Sequence, residues 1–174
     1  MKSKVLFLFL IAGLVSCGGD KPKNAEAVEA NKETPNNFVV EIDAIYEKND
    51  SLVFYYEVDG TVKYENPVTL KVNGSPEPQL LKVEMPKGIA LENLTYTVST
   101  NKEQLKVKIT NISIKNGDKV IDGRDFKYSE YFMSDESFKW NDADKSYIVS
   151  HDNKYPPAFV GNDNLRAKLF DNVK

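Results

Sequence analysis

The segment Leu105-Lys-Val-Lys-Ile-Thr-Asn-Ile-Ser-Ile-Lys-Asn-Gly-Asp-Lys-Val-Ile121 decides the fold class. Apolar and polar residues alternate along it, and a period of two is typical of a β-strand with one buried face. Asn116-Gly117 interrupts the alternation, because both residues tolerate the positive φ angles that a tight hairpin needs. The alternation also changes parity between Ile109 and Ile112, which predicts a β-bulge near Thr110-Asn111. The segment therefore predicts an antiparallel hairpin with a bulge in its first strand.

Short runs rich in Val, Ile, Tyr, Phe and Thr recur from Phe38 onward, separated by Gly, Pro, Asn and Asp. Asp59-Gly60 predicts a second tight hairpin. Residues 47–50, 73–78 and 86–88 are predicted to be turns. The remaining predicted strands are 38–46, with Phe38, Val40, Ile42 and Ala44 on its buried face, 51–58, 61–64, 68–72, 79–85, 94–98, 138–140 and 146–150. Many short strands at regular spacing favour a pair of packed antiparallel sheets.

Only the end of the chain has a helical pattern. Asp163 is predicted to cap a helix over residues 164–170, in which Leu165 and Leu169 share one face. The fold class is therefore an all-β, antiparallel two-sheet β-sandwich of the jelly-roll kind, with a short C-terminal helix.

The N-terminus has the organisation of an export signal. Lys2 and Lys4 precede the apolar run 5–15, which is shorter than the roughly 20 residues that span a bilayer. Leu14-Val15-Ser16-Cys17 resembles the lipobox of bacterial lipoproteins, in which the cysteine thiol carries diacylglycerol. The resemblance implies a signal peptide over 1–16, a lipidated Cys17 with a flexible tether over 17–37, and a sandwich domain over 38–174. The lipid bilayer is then one partner.

Lys2-Ser3-Lys4 and Cys17-Gly-Gly-Asp20 are similar to lipoproteins of the Bacteroidota. This similarity implies a cell-envelope location at the outer membrane. An acidic run after the cysteine resembles a signal for transport to the cell surface, but here only Asp20 is acidic, so the surface and periplasmic sides both stay open. A net charge of -3 does not attract the phosphates of nucleic acid, so nucleic acid is not a predicted partner.

Gln79-Leu-Leu-Lys-Val-Glu-Met-Pro86, Leu94-Thr-Tyr-Thr-Val98 and the residues 105–114 resemble strands of galactose-binding-like jelly rolls. Such domains often serve as carbohydrate-binding modules, so the resemblance implies a non-catalytic domain that binds sugar. The resemblance lies in a pattern of strands and carries over no ligand residue.

Aromatic and acidic residues are concentrated between residues 122 and 155. Sugar sites need aromatic faces for the C–H side of a pyranose, and carboxylates or amides for its hydroxyls. The predicted ligand-binding residues are Trp140, Tyr128, Tyr131, Tyr147, Asp125 and Asp142. The alternative is that these rings only close one end of the sandwich.

Two other functions stay open at this stage. An accessory lipoprotein could dock another envelope protein through a sheet face or edge. A small glycan-processing enzyme would need two carboxylates a few ångströms apart, and sequence spacing does not place any pair together, so catalysis is not predicted. The chain offers no cofactor motif, and a structural calcium ion is a minor alternative.

Asp50-Ser51-Leu52 resembles the short O-glycosylation site of exported Bacteroidota proteins. The resemblance implies modification of the Ser51 hydroxyl, which would follow the predicted turn at 47–50.

Overall fold

The computed structural model describes residues 36–152 and 154–173. The predicted leader, Cys17 and all of the predicted tether except its last two residues lie outside these ranges. The described strands are β1 (Phe38–Tyr46), β2 (Asp50–Val58), β3 (Thr61–Val62), β4 (Val68–Val72), β5 (Ser75–Glu84), β6 (Asn93–Thr97), β7 (Lys106–Asn116), β8 (Lys119–Ile121), β9 (Phe132–Ser134), β10 (Phe138–Asn141), β11 (Ser146–Val149) and β12 (Ala158–Gly161). A 3-10 helix spans Lys127–Glu130 and the helix α1 spans Asp163–Val173.

The strands form two antiparallel sheets of six strands each, which we call sheet I and sheet II. Sheet I has the order β10-β11-β7-β1-β5, with β8 also paired to β7. Sheet II has the order β3-β2-β6-β12-β9, with β4 also paired to β2. Apolar side chains from both sheets form one core cluster. The predicted two-sheet sandwich with a short C-terminal helix is confirmed.

Strand β1 is at the centre of sheet I and shows why the alternation predicts the core correctly. Every second residue from Phe38 to Tyr46 is buried, and the residues between them are only partly buried. The bulge in β7 is also confirmed. Asp43 pairs with Asn111 and Ala44 pairs with Ile109, so the chain has one extra residue, Thr110, on the β7 side.

Both predicted hairpins form. Asp59 and Gly60 have φ angles of 54° and 66° between β2 and β3. The loop between β7 and β8 is shifted by one residue from the prediction, because Asn116 pairs with Lys119 and leaves Gly117-Asp118 as the turn. Gly117 has a φ of 59°, which a glycine adopts without steric penalty.

The prediction of a turn over 73–78 was wrong for residues 75–78, which lie in a strand. Strand β5 begins at Ser75 and includes Pro76 and Pro78. Because β5 is the edge of sheet I and pairs only with β1, a proline that lacks an N–H is tolerated there. The short strands β9 and β12 were not predicted.

Helix α1 begins one residue earlier than predicted and has a different cap. The Asn162 side chain accepts hydrogen bonds from the backbone N–H groups of Asn164 and Leu165, at 3.0 and 3.1 Å. Asn162 therefore caps the helix in place of Asp163. The predicted apolar face is confirmed, since Leu165 and Leu169 are fully buried.

The tyrosine hydroxyls in the core differ in whether they form hydrogen bonds. The Tyr128 hydroxyl donates to the Ile109 carbonyl at 3.1 Å and lies 3.1 Å from the Tyr147 hydroxyl. The buried Tyr96 hydroxyl has no hydrogen-bond partner among the described residues, and burial raises its pKa well above the usual value. The Tyr96 hydroxyl therefore pays a desolvation penalty that no hydrogen bond offsets.

We expect Tyr96→Phe to raise the free energy of unfolding by about 1 kcal/mol, because it removes an unsatisfied buried hydroxyl and keeps the ring. Tyr128→Phe is the matched control, and it should lower the free energy of unfolding by about 1 kcal/mol because it breaks satisfied hydrogen bonds. Urea denaturation of both variants measures the two changes. Equal destabilisation by both would contradict the assignment.

Candidate functional site

An aromatic cluster runs from the core to the surface at one end of the sandwich. Its members are Phe126, Tyr128, Phe138, Trp140, Tyr147 and Phe159. Trp140 lies on the edge strand β10, where 40% of its surface is exposed. Its ring packs edge-on against Tyr147, with ring centroids 5.0 Å apart, and against Phe126 at 5.8 Å. Trp140 is therefore held rigidly by its neighbours and still open to solvent.

The other predicted aromatic residues lie deeper. Tyr128 is only 1% exposed and stacks on Phe159, so its ring has no face open to a sugar. Tyr147 is half-buried between Trp140 and the core, and burial raises the pKa of both tyrosines. Tyr131 is also half-buried and directly follows the 3-10 helix, where its carbonyl accepts a hydrogen bond from the Asn162 amide. Tyr128 and Tyr147 therefore belong to the aromatic cluster, Tyr131 packs against the core, and Trp140 is the most exposed of the four rings.

Asp142 is beside Trp140 but engaged with a cation. Its carboxylate contacts the Lys145 ammonium and accepts a long hydrogen bond of 3.4 Å from the Trp140 indole. The hydrogen bond from Lys145, followed by the one from Trp140, lowers the pKa of Asp142. Asp142 is highly exposed. Its hydrogen bond to the indole N–H helps to orient the edge of the Trp140 ring.

Trp140 is in register with Tyr147 and Val107, so it belongs to the core-facing row of sheet I, at the edge of that sheet. A polar pocket of about 410 Å³ lies on the outer side of the same sheet. We call it the bulge pocket, because Thr110 of the β7 bulge lines it. The lining residues are Asp43, Thr110, Asn111, Asp122, Arg124, Asp125 and Lys127. The pocket thus contains Asp125, which the sequence predicts, but not Asp142.

The loop 122–127 forms one wall of the bulge pocket and is fixed closely to β7. A Cβ atom on Gly123 would lie only 2.0 Å from the Ile112 carbonyl oxygen, so only glycine fits there. The carbonyl of the bulged residue Thr110 accepts a hydrogen bond from the Phe126 amide at 3.3 Å. The bulge therefore supplies the carbonyl that anchors this loop.

The same loop stores backbone strain. Asp125 and Phe126 have φ angles of 55° and 66°, a conformation that bulky side chains rarely adopt. Such strain costs on the order of 1–3 kcal/mol per residue and concentrates at functional sites. Here it directs the Phe126 ring onto Trp140 while Asp125 and Lys127 on either side line the pocket. The loop joins the pocket to the exposed indole.

The charges in the bulge pocket are partly compensated. Arg124 donates from Nε and Nη2 to the two carboxylate oxygens of Asp122, at 2.7 and 3.2 Å. This fork lowers the pKa of Asp122 and raises the pKa of Arg124. Asp43 accepts a hydrogen bond from the neutral Asn111 amide at 3.0 Å, so its charge is not cancelled by that contact. The pocket therefore offers acceptors and donors side by side.

Sequence reasoning missed the part of the pocket that sheet I contributes. Asp43 is on β1 and Thr110 and Asn111 are on β7, and they meet because those strands pair. The change of parity at Thr110-Asn111 was the available signal, since bulges are frequent beside functional sites. No sequence spacing relates Asp43 to Asp125.

Ser51 is not part of the preceding turn. It lies inside β2, pairs with Lys71, and lines a second polar pocket of about 390 Å³. Its predicted glycosylation stays a prediction, without the support of a turn position.

Within residues 36–152 and 154–173, no three His, Cys, Asp or Glu side chains are grouped so that they could hold a metal ion. In the same part of the chain, no helix has the length and apolar character needed to cross a bilayer.

Comparison with known proteins finds no matching family model, no similar curated protein and no similar solved structure.

Proposed function

We propose that the protein is a lipid-anchored lipoprotein of the cell envelope whose sandwich domain binds carbohydrate without catalysis. The proposed site is the bulge pocket together with Trp140. One observation carries it: a strained loop joins a polar pocket of about 410 Å³ to a rigidly held, partly exposed indole through Phe126. Both components that a sugar site requires are then linked through consecutive residues of one loop, and a ligand that contacts both must reach around the edge of sheet I.

The chemistry of the lining suits a polyhydroxylated ligand. An indole attracts the C–H face of a pyranose, because the aromatic face is electron-rich. The carboxylates of Asp43 and Asp125 accept hydrogen bonds from hydroxyl groups, whereas Lys127 donates and the Thr110 hydroxyl can do both. Because every hydroxyl is both donor and acceptor, this mixture can satisfy several neighbouring hydroxyls of one sugar.

The ion pair of Asp122 argues against a role for this residue as a general acid. A glycosidase needs one carboxylic acid whose pKa is raised, so that it can protonate the leaving group. Arg124 shifts the pKa of Asp122 in the opposite direction. The two hydrogen bonds from Arg124 thus favour a structural role for the Asp122 carboxylate.

We expect Trp140→Ala to weaken binding of the strongest ligand on a glycan array about tenfold or more, because stacking on an aromatic ring is then lost. Tyr64→Ala is the matched control, since Tyr64 is an exposed aromatic residue whose ring contacts Tyr55 of sheet II. Titration calorimetry of the unlipidated Cys17→Ser chain with each change measures the affinities. Equal affinities of the two variants would remove Trp140 from the site.

The lipid anchor is tested separately. Cys17→Ser should abolish incorporation of labelled palmitate and move the protein from the membrane to the soluble fraction, because a hydroxyl does not replace the acylated thiol. Two or three acyl chains anchor a protein essentially permanently, at roughly 0.8 kcal/mol per buried methylene. Retention of the variant in the membrane fraction would exclude this anchor.

A second candidate is docking of another envelope protein on the outer face of sheet II. A row of uncharged side chains crosses that face. In this row Tyr55 pairs with Thr95, Thr95 with Val160, and Val160 with Met133. The Tyr64 ring packs beside Tyr55, at 5.4 Å between centroids. A photo-crosslinking residue at Thr95 in living cells would reveal a partner, and the absence of any adduct would dismiss this candidate.

A further inference from the structure

A buried chain of hydrogen bonds lies behind the bulge pocket. The Gly123 amide donates to Ser113 Oγ at 3.0 Å, and Ser113 Oγ donates to Asn111 Oδ1 at 2.6 Å. Asn111 Nδ2 then donates to Asp43 Oδ2 at 3.0 Å. Asn111 is 4% exposed and Ser113 is 3% exposed, so bulk water cannot replace these bonds. We call this chain the Ser113 relay.

The directions of the hydrogen bonds in the relay are determined by its two ends. A backbone N–H can only donate, so Ser113 Oγ accepts from Gly123. A carboxylate can only accept, so the Asn111 amide nitrogen faces Asp43, and the flipped amide is excluded because it would place the amide oxygen against the carboxylate. The amide oxygen of Asn111 then faces Ser113 and accepts the hydrogen of its hydroxyl.

The relay leaves one oxygen of Asp43 for the pocket. Oδ2 is occupied by the Asn111 amide, and no described residue donates a hydrogen bond to Oδ1. A carboxylate oxygen carries no hydrogen, so it accepts only. A ligand group at Oδ1 must then be a donor, and a fixed acceptor of this kind discriminates strongly against ligands that lack the donor.

We infer that Ser113 is a specificity-determining positioning residue of the bulge pocket, which orients Asp43 to accept a hydrogen bond from one particular hydroxyl of the bound saccharide. This inference rests on the proposed function. Ser113 does not line the pocket, so it acts through Asn111 and Asp43.

The first part of the test needs no ligand. In the unlipidated Cys17→Ser chain, hydrogen exchange measured by NMR should show a protected Gly123 amide, and Ser113→Ala should speed that exchange about tenfold or more. Ser113→Thr retains the hydroxyl and should restore the protection. Unchanged exchange in Ser113→Ala would overturn the relay, whatever the protein binds.

The second part compares ligands. The strongest saccharide from a glycan array and its monodeoxy analogues are titrated against the Cys17→Ser chain with and without Ser113→Ala. One deoxy position should weaken binding about 100-fold in the presence of Ser113, and only about tenfold or less in Ser113→Ala. Equal deoxy penalties in both proteins would overturn the inference. A protected Gly123 amide without binding of any saccharide would refute the proposed function and the ligand part of the inference, while the relay itself would stand.

Discussion

Asp50→Ala is expected to lower the free energy of unfolding by about 3–5 kcal/mol, a large loss for a single polar side chain. Asp50 is only 7% exposed at the start of β2. Its Oδ1 accepts hydrogen bonds from the amides of Ser51, Thr100 and Asn101, at 2.7, 2.8 and 3.1 Å. Its Oδ2 accepts from the Ser99 hydroxyl at 2.6 Å.

The size of the effect follows from what alanine leaves behind. Three backbone amides and two hydroxyls, those of Ser99 and Thr100, lose this acceptor at once. The Asn101 amide keeps a hydrogen bond of 3.2 Å to Ser99 Oγ, whereas each buried donor left unsatisfied costs about 1–3 kcal/mol before the structure relaxes. The residues 99–101 are attached to sheet II through these bonds, so their release should also uncover the end of the core. Urea denaturation with an unchanged m-value measures the loss.

Asp50→Asn is the matched control. It keeps the shape and one acceptor oxygen for the three amides, but it loses the charge and places an NH2 group against the Ser99 hydroxyl. That hydroxyl can still donate to the Asn101 carbonyl, at 3.1 Å, so we expect a loss of about 1–2 kcal/mol. If Asp50→Ala and Asp50→Asn were equally stable, the network of hydrogen bonds would not be the cause.

Gly123→Ala is expected to lower the free energy of unfolding by about 2–4 kcal/mol and to weaken saccharide binding more than tenfold. The new Cβ atom would lie 2.0 Å from the Ile112 oxygen and 2.7 Å from the Ile112 carbonyl carbon, both in the backbone of β7. Neither atom can move without disturbing the pairing of sheet I. The loop 122–127 must therefore lift away, which breaks the hydrogen bond to Ser113 and deforms the bulge pocket.

Gly117→Ala separates this steric effect from the conformational cost of losing a glycine. Gly117 has a φ of 59°, but a Cβ atom there meets nothing within 4 Å. Its replacement should therefore cost only about 1–2 kcal/mol of left-handed strain and leave saccharide binding unchanged. Urea denaturation and calorimetric titration of both variants make the comparison. A Gly123→Ala protein with unchanged binding would show that the loop is not part of the site.

Prediction from sequence succeeded where structure depends on neighbouring residues. The buried face of β1, the Asp59-Gly60 hairpin and the bulge at Thr110 follow from alternation and from allowed φ angles, which are local properties. It failed at Ser75 to Pro78, because only the edge position of β5 makes those prolines acceptable in a strand. It failed at the helix cap for a similar reason, since Asn162 and Asp163 are both good capping residues by type.

The candidate site was predictable only in part. Trp140 and Asp125 follow from composition, whereas Tyr128 has the same composition signal and is buried in the core. Burial depends on which strands face each other, and a list of residue types does not contain that information.

By itself, the sequence determined that this chain forms a strand-built sandwich with a C-terminal helix, because alternation and turn residues act over a few positions. Only the tertiary structure decided that Asp43, Asn111 and Ser113 meet the loop 122–127, whose Phe126 contacts the exposed Trp140. The physical reason is that strand pairing joins residues nearly 80 positions apart, such as Phe38 and Asn116, through hydrogen bonds that carry no trace in the local pattern.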